Sequence, residues 1–188
     1  MTFARWWLGV WAKSGYVKTW STMYRALYEK AFVNVPIEPV ANFTELEKRL
    51  DKLQWTGDAG RELGDAWSSP QRIQAVLNLP AGAPPIHGID CEDFALYICA
   101  VAKKSGLADP RVFVVQWTRP DKKLAAHAVA LWQQPGSTYF WMDYNAPNAA
   151  TTLAQAADQV AGSQQGVACP IVGWALFRPD LTCQEVGP

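Results

Sequence analysis

DCEDFALYICAVAKKSG, residues 90–106, carries apolar side chains nearly all the way round a helix. Phe94, Ala95, Leu96, Ile98, Cys99, Val101 and Ala102 leave no wide polar face, so a helix here has to be buried. Both of its ends are marked. Asp90 is a good N-cap, and Glu92 and Asp93 fall in the first turn, where the positive helix end favours acids. Lys103 and Lys104 suit the last turn, and Gly106 suits the stop.

After this helix the hydrophobic period changes from helical to two. RVFVVQWTR (111–119) and KLAAHAVALWQ (123–133) predict strands, the second with His127, Val129 and Leu131 on one face. Pro135-Gly136 predicts a turn, and TYFWMDYN (138–145) the return strand. The Gln/Ala-rich stretch 149–166 predicts helix then loop, and IVGWALFRP (171–179) a last strand. Before the buried helix, residues 16–33 have helical spacing, and VNVPIEPV (33–40) is extended or turning because of its two prolines. A second helix starts at Asn42 or Thr44 as cap, with Leu46, Leu50 and Leu53 on one face. QRIQAVLNL opens a short helix behind Pro70, between loops at 56–65 and 80–88. Helices, then one buried helix, then an antiparallel sheet make an α+β fold with the helix packed on the sheet. Residues 1–42 read as an aromatic helical arm and 43–188 as the main domain.

Composition narrows the class. The 188 residues hold 17 Lys plus Arg against 17 Asp plus Glu, with no basic stripe, so nucleic acid is not expected as a partner. The longest apolar run near the start, WWLGVWA (6–12), falls far short of the roughly 20 residues of a membrane span. It also lacks the order of a signal peptide, so a cytoplasmic setting, or carriage inside a larger particle, is expected. Among ten tryptophans, Trp6, Trp7, Trp11 and Trp20 read as residues that dock the arm on its own core or on a protein partner. Four cysteines without a CxxC pair argue against a disulfide scaffold and against zinc; Cys169 and Cys183 could pair in a protein that works outside a cell, but the reduced, half-buried state is expected.

The candidate chemistry starts at Cys91. A thiol in the first turn of a buried helix feels the positive helix end, which favours the thiolate, while Asp90, Glu92 and Asp93 oppose it. With Pro135-Gly136 as the loop, His127 faces position 144, and a shift of register brings it opposite Asp143. A carboxylate beside an imidazole fixes its tautomer and stabilises its cation. Cys91, His127 and Asp143 thus have the chemistry of nucleophile, base and orienter. His87, on a Pro/Gly loop, reads as a loop residue near the cleft.

Asp90-Cys91-Glu92-Asp93 before an apolar helix, His127-Ala128-Val129 and Met142-Asp143 together resemble the transglutaminase-like superfamily of papain-type cysteine enzymes. The bacterial transglutaminase-like cysteine proteinases are the most similar group, and their members include a periplasmic protease that releases adhesins. Trp67-Ser68-Ser69-Pro70 matches the family's Trp-x-x-Pro element, and Gly173-Trp174-Ala175-Leu176-Phe177 its final aromatic strand. The resemblance spans roughly residues 43 to 179. It implies a papain/transglutaminase-like fold, with Cys91 as nucleophile, His127 as general base and acid, and Asp143 as orienter. The Cys91 N–H would donate to the oxyanion, with Trp67 or Gln71 as a second donor. No cofactor is needed by the triad, but the resemblance implies calcium at Asp90, Glu92 and Asp93. Ile89 replaces the family's usual glycine, Tyr144 separates Asp143 from Asn145, and residues 1–42 have no counterpart.

The expected activity is therefore hydrolysis of peptide or amide bonds through an acyl-enzyme, on a protein, peptide or cell-wall peptide. Acyl transfer to an amine uses the same triad. A different class of function is a structural or interaction subunit of a larger assembly, such as a phage particle, that keeps the fold and docks through its arm.

Overall fold

The computed structural model describes residues 3–53, 67–80, 89–136, 138–144 and 147–188. The loops expected at 56–65 and 81–88, together with His87 and Asn145, lie outside the described residues. Six helices, counted with one short 3-10 turn set aside, surround a six-stranded antiparallel sheet, so the architecture is α+β.

Helices α1 (Phe3–Lys13) and α2 (Tyr16–Tyr28) form the start of the chain and are joined through Gly15, whose φ of 74° suits glycine. α3 (Phe43–Leu50) begins at Asn42, whose side chain accepts a hydrogen bond from the Glu45 N–H, as expected of that cap. α4 (Pro70–Leu77) begins at Ser69, which caps the Arg72 N–H, with Pro70 in the first turn. α5 (Cys91–Lys104) is the buried helix, and ten of its side chains are buried. Asp90 occupies its N-cap position but makes no side-chain capping bond.

The strands are β1 (Arg111–Thr118), β2 (Leu124–Gln133), β3 (Tyr139–Met142), β4 (Pro147–Ala150), β5 (Ile171–Phe177) and β6 (Cys183–Gly187), in the order β4-β3-β2-β1-β5-β6. α6 (Leu153–Gln165) lies between β4 and β5. β4 falls partly within the stretch expected to be helix then loop, and β6 follows what was expected to be the last strand. The return strand is four residues long rather than eight. The hairpin register also differs: Gln133 pairs with Tyr139 and Ala130 with Met142, so continuing it would set His127 opposite position 145.

Two cores result from the alternation of side chains across the sheet. On one face Val112, Val114, Ala128, Ala130, Met142 and Phe177 pack with α5 and α3, and Ala12 and Val17 of the first two helices join them. On the other face Phe113, Val115, Val129, Leu131 and Trp141 pack with Ala156, Ala157 and Val160 of α6. All four cysteines are free. No helix among the described residues is long and apolar enough to cross a membrane.

Candidate active site

Cys91 is the first residue of α5 and half-buried, so its sulfur sits at the positive end of a fourteen-residue helix. Its thiol donates to Glu92 Oε2 at 3.0 Å. Glu92 is itself buried and lines the same cleft.

His127 lies on β2 outside the four residues that pair with β3. Alternation sets it in step with Val129 and Leu131, which pack toward α6. Its ring nevertheless lines a cleft of about 350 Å³ with Cys91 and Glu92. Asp143 reaches it because the chain leaves β3 at Met142 and turns through Tyr144 at φ 60°. Asp143 Oδ1 lies 2.9 Å from His127 Nε2. This is an ion-pair contact rather than an aligned hydrogen bond, since the oxygen does not meet the ring nitrogen in hydrogen-bond geometry. Burial works against a charged ring, but Asp143 and Cys91 outweigh it and raise the pKa of His127 from 6.5 to about 9.

Two neighbours fix this pair: Gln164, which the sequence did not reveal, and Tyr144, which the sequence set opposite His127 without showing its contact with α5. Gln164 on α6 donates to Asp143 Oδ2 at 2.8 Å, which orients the carboxylate from behind. Tyr144 stands 6.0 Å from the His127 ring and packs edge-on against Phe94 of α5 at 4.5 Å. It thereby ties His127 to the helix that carries the thiol. Burial, with the charges of Cys91 and Asp143, pushes the Tyr144 hydroxyl far up, so it stays neutral. A Gln in a Gln/Ala-rich stretch carries no local signal of such a role.

Trp67 is 1% exposed and lines the cleft, and its indole Nε1 has no hydrogen-bond partner among the described residues. The indole N–H is thus a buried donor left unpaired on a residue of the cleft wall. Gln71, the other candidate donor, is half-buried on α4 and does not line the cleft. Trp67 is held from two sides. Its N–H donates to Ser21 Oγ at 3.1 Å, and Arg25 of α2 donates to the Trp67 and Ser68 carbonyls at 2.9 and 3.0 Å. Glu29 accepts from the Ser69 N–H at 2.8 Å, and Asp93 of α5 accepts from the Ser68 N–H at 2.6 Å.

The carboxylates around Cys91 have separate tasks. Asp93 is buried and turned to Ser68; burial and Asp90 hold its carboxyl well above the usual range, against the Ser68 N–H and Arg72. Glu92 takes the thiol, and Asp90 sits at the helix start. Among the described residues no three His, Cys, Asp or Glu side chains converge as metal ligands.

No protein-family model, curated protein or solved structure matches this chain.

Proposed function

We propose that the chain is a thiol hydrolase of the papain/transglutaminase-like kind, acting on peptide or amide bonds through an acyl-enzyme. The observation that carries this reading is one cleft lined by Cys91 and His127, with Asp143 2.9 Å behind the ring. With the Cys91 proton on the His127 ring, the thiolate attacks the substrate carbonyl carbon. Cys91 N–H and Trp67 Nε1 donate to the resulting oxyanion. The imidazolium then protonates the departing amine, and the C–N bond breaks to leave a thioester. A water molecule, deprotonated by His127, attacks the thioester and releases the acid, and the proton returns to Cys91. Asp143, steadied by Gln164, stabilises the ring's cation each time it forms and holds the ring in place through both halves. An amine in place of water would give acyl transfer with the same groups, and product masses with a primary amine present separate the two.

Alkylation by iodoacetamide, read by mass spectrometry, tests the reading. Cys91 is expected to react near neutral pH faster than Cys169 and Cys183, and to lose that advantage in His127→Ala. A Cys91 rate indifferent to His127 would sink the proposal. Parallel runs with calcium and with chelator test whether Asp90, Glu92 and Asp93 recruit a cation.

A second reading, an assembly subunit that keeps the fold, is favoured by the exposed apolar side chains of the first two helices and the turn after them. Leu27, Tyr28 and Val33 are 63%, 70% and 71% exposed. Tight co-purification with a larger complex, lost on Leu27→Lys plus Tyr28→Lys, supports it.

A further inference from the structure

The first helix forms one wall of the cleft. Trp7, Leu8 and Trp11 of α1 face Cys91 and His127 across it, and Val114, Ala126 and Ala128 of the sheet make a small-residue floor. Leu8 is buried and Trp11 packs on Phe177 and Trp67, so both are part of the fold. Trp7 differs. It is 55% exposed at the rim, an open apolar surface beside the reacting pair.

α1 is seated there by a missing side chain. Gly173 of β5 pairs with Gln116, and a Cβ at 173 would lie 2.9 Å from the Gly187 carbonyl oxygen and 3.2 Å from Leu8 Cδ2. The 2.9 Å contact is with β6, so a side chain at 173 would clash with the neighbouring strand, and the glycine that avoids this also leaves Leu8 its close seat. Gln116 faces the same space. It pairs with Ala126, the neighbour of His127, and lines the cleft. Its carboxamide oxygen is buried with no hydrogen-bond partner among the described residues. A buried acceptor left unpaired is costly, and a donor from a ligand would satisfy it.

The chemistry of this wall selects a ligand. Among the described residues no Lys or Arg lines the cleft to receive an acidic side chain, and Glu92 is engaged by the thiol. A volume of about 350 Å³ is at the small end for ligand clefts, enough for one large side chain and adjoining backbone.

Resting on the thiol-hydrolase reading, we infer that Trp7 and Gln116 are specificity-determining residues that select a peptide with a large apolar residue next to the scissile carbonyl. Its side chain packs on Trp7, Leu8 and Trp11, and a backbone N–H of the peptide donates to Gln116 Oε1.

Reversible binding tests this without needing turnover. N-acetyl-phenylalaninamide, N-acetyl-leucinamide, N-acetyl-lysinamide and N-acetyl-glutamic acid amide are titrated into the full-length Cys91→Ala protein by calorimetry. The apolar pair is expected to bind about tenfold tighter than the charged pair, as burial of one large apolar side chain allows. Trp7→Ala, at an exposed position whose loss the fold tolerates, is expected to erase most of that preference. Gln116→Leu, close in size, is expected to weaken all four ligands alike, since it removes a backbone contact. Equal affinities for the four ligands, no measurable binding, or a preference untouched by Trp7→Ala would overturn the inference. The iodoacetamide rates in wild type and Trp7→Ala keep the two proposals apart. A His127-dependent rate unchanged by Trp7→Ala, with no apolar preference in binding, removes this inference and leaves the hydrolase. An apolar preference with a His127-independent rate removes the hydrolase and leaves a peptide-binding cleft.

Discussion

His127 is subject to opposed influences, burial against the cation and two partners for it, and the partners prevail. The consequence for stability has a definite sign. A ring whose pKa rises from 6.5 to about 9 on folding contributes stability that is fully present below pH ~6.5 and is lost as pH rises through about 9. The size is at most about 3 kcal/mol by the usual conversion of pKa to free energy. Thermal unfolding of wild type and Asp143→Asn, run from pH ~6 to ~10, is expected to show a gap in melting temperature that is widest at the acid end and narrows toward the alkaline end. A gap of constant width would mean that Asp143 does not hold the proton on His127. The residues that bear on this chemistry were legible to different degrees. Cys91, His127 and Asp143 announce themselves by type and order. Gln116 and Gln164 do not, because an amide has meaning only once the fold shows what it faces.

α2 reaches the cleft without touching it. Ser21, Arg25 and Glu29 take up the backbone of residues 67–69 from one side, and Asp93 of α5 takes it up from the other. Arg25 is buried enough that its guanidinium is disfavoured, with Glu29 and Asp93 opposing that effect. Arg25→Met is expected to cost about 2–4 kcal/mol in urea denaturation, because it strands two carbonyls and removes a cation that acts on two buried carboxylates. The truncated chain 43–188 is expected to lose cooperative unfolding altogether, since it also removes Leu8, Ala12 and Val17 from buried positions. If 43–188 unfolds cooperatively and keeps the wild-type alkylation rate at Cys91, the arm is a separable part after all. The elements themselves were unevenly readable. α3, α4 and α5 carry local start signals in Asn42, Ser69-Pro70 and Asp90. β4 has none: Pro147-Asn148-Ala149-Ala150 lacks branched and aromatic residues and is a strand only because it lies at the sheet edge beside β3, where proline is tolerated. The hairpin register escaped because the loop is longer than its Pro-Gly centre suggests.

Across the whole molecule, the sheet separates two cores, and the thiols sample them differently. Cys99 is fully buried on α5, and burial pushes its thiol far above the ordinary range. Cys91, Cys169 and Cys183 are only half-buried. Cys99 is therefore expected to remain unalkylated for as long as the fold is intact, and its labelling rate in rising urea is expected to follow global unfolding. Early labelling of Cys99 under native conditions would mean that α5 opens locally, away from the sheet. α+β order and the buried helix were open to sequence reading because hydrophobic period is a property of short stretches. The wall that α1 builds over the cleft was not, because it rests on contacts such as that of Leu8 with Gly173, some 165 residues apart along the chain.

Tyr144 brings stability and chemistry into conflict at a single position. Its backbone is held at φ 60°, where a bulky residue costs on the order of 1–3 kcal/mol. Glycine there would relax the turn but remove the ring that links Phe94 to His127. A library ranked on heat resistance alone would therefore drift toward glycine or asparagine at 144, and its winners would be hardy proteins with a loosened His127. Only a screen that scores both traits together would retain the tyrosine.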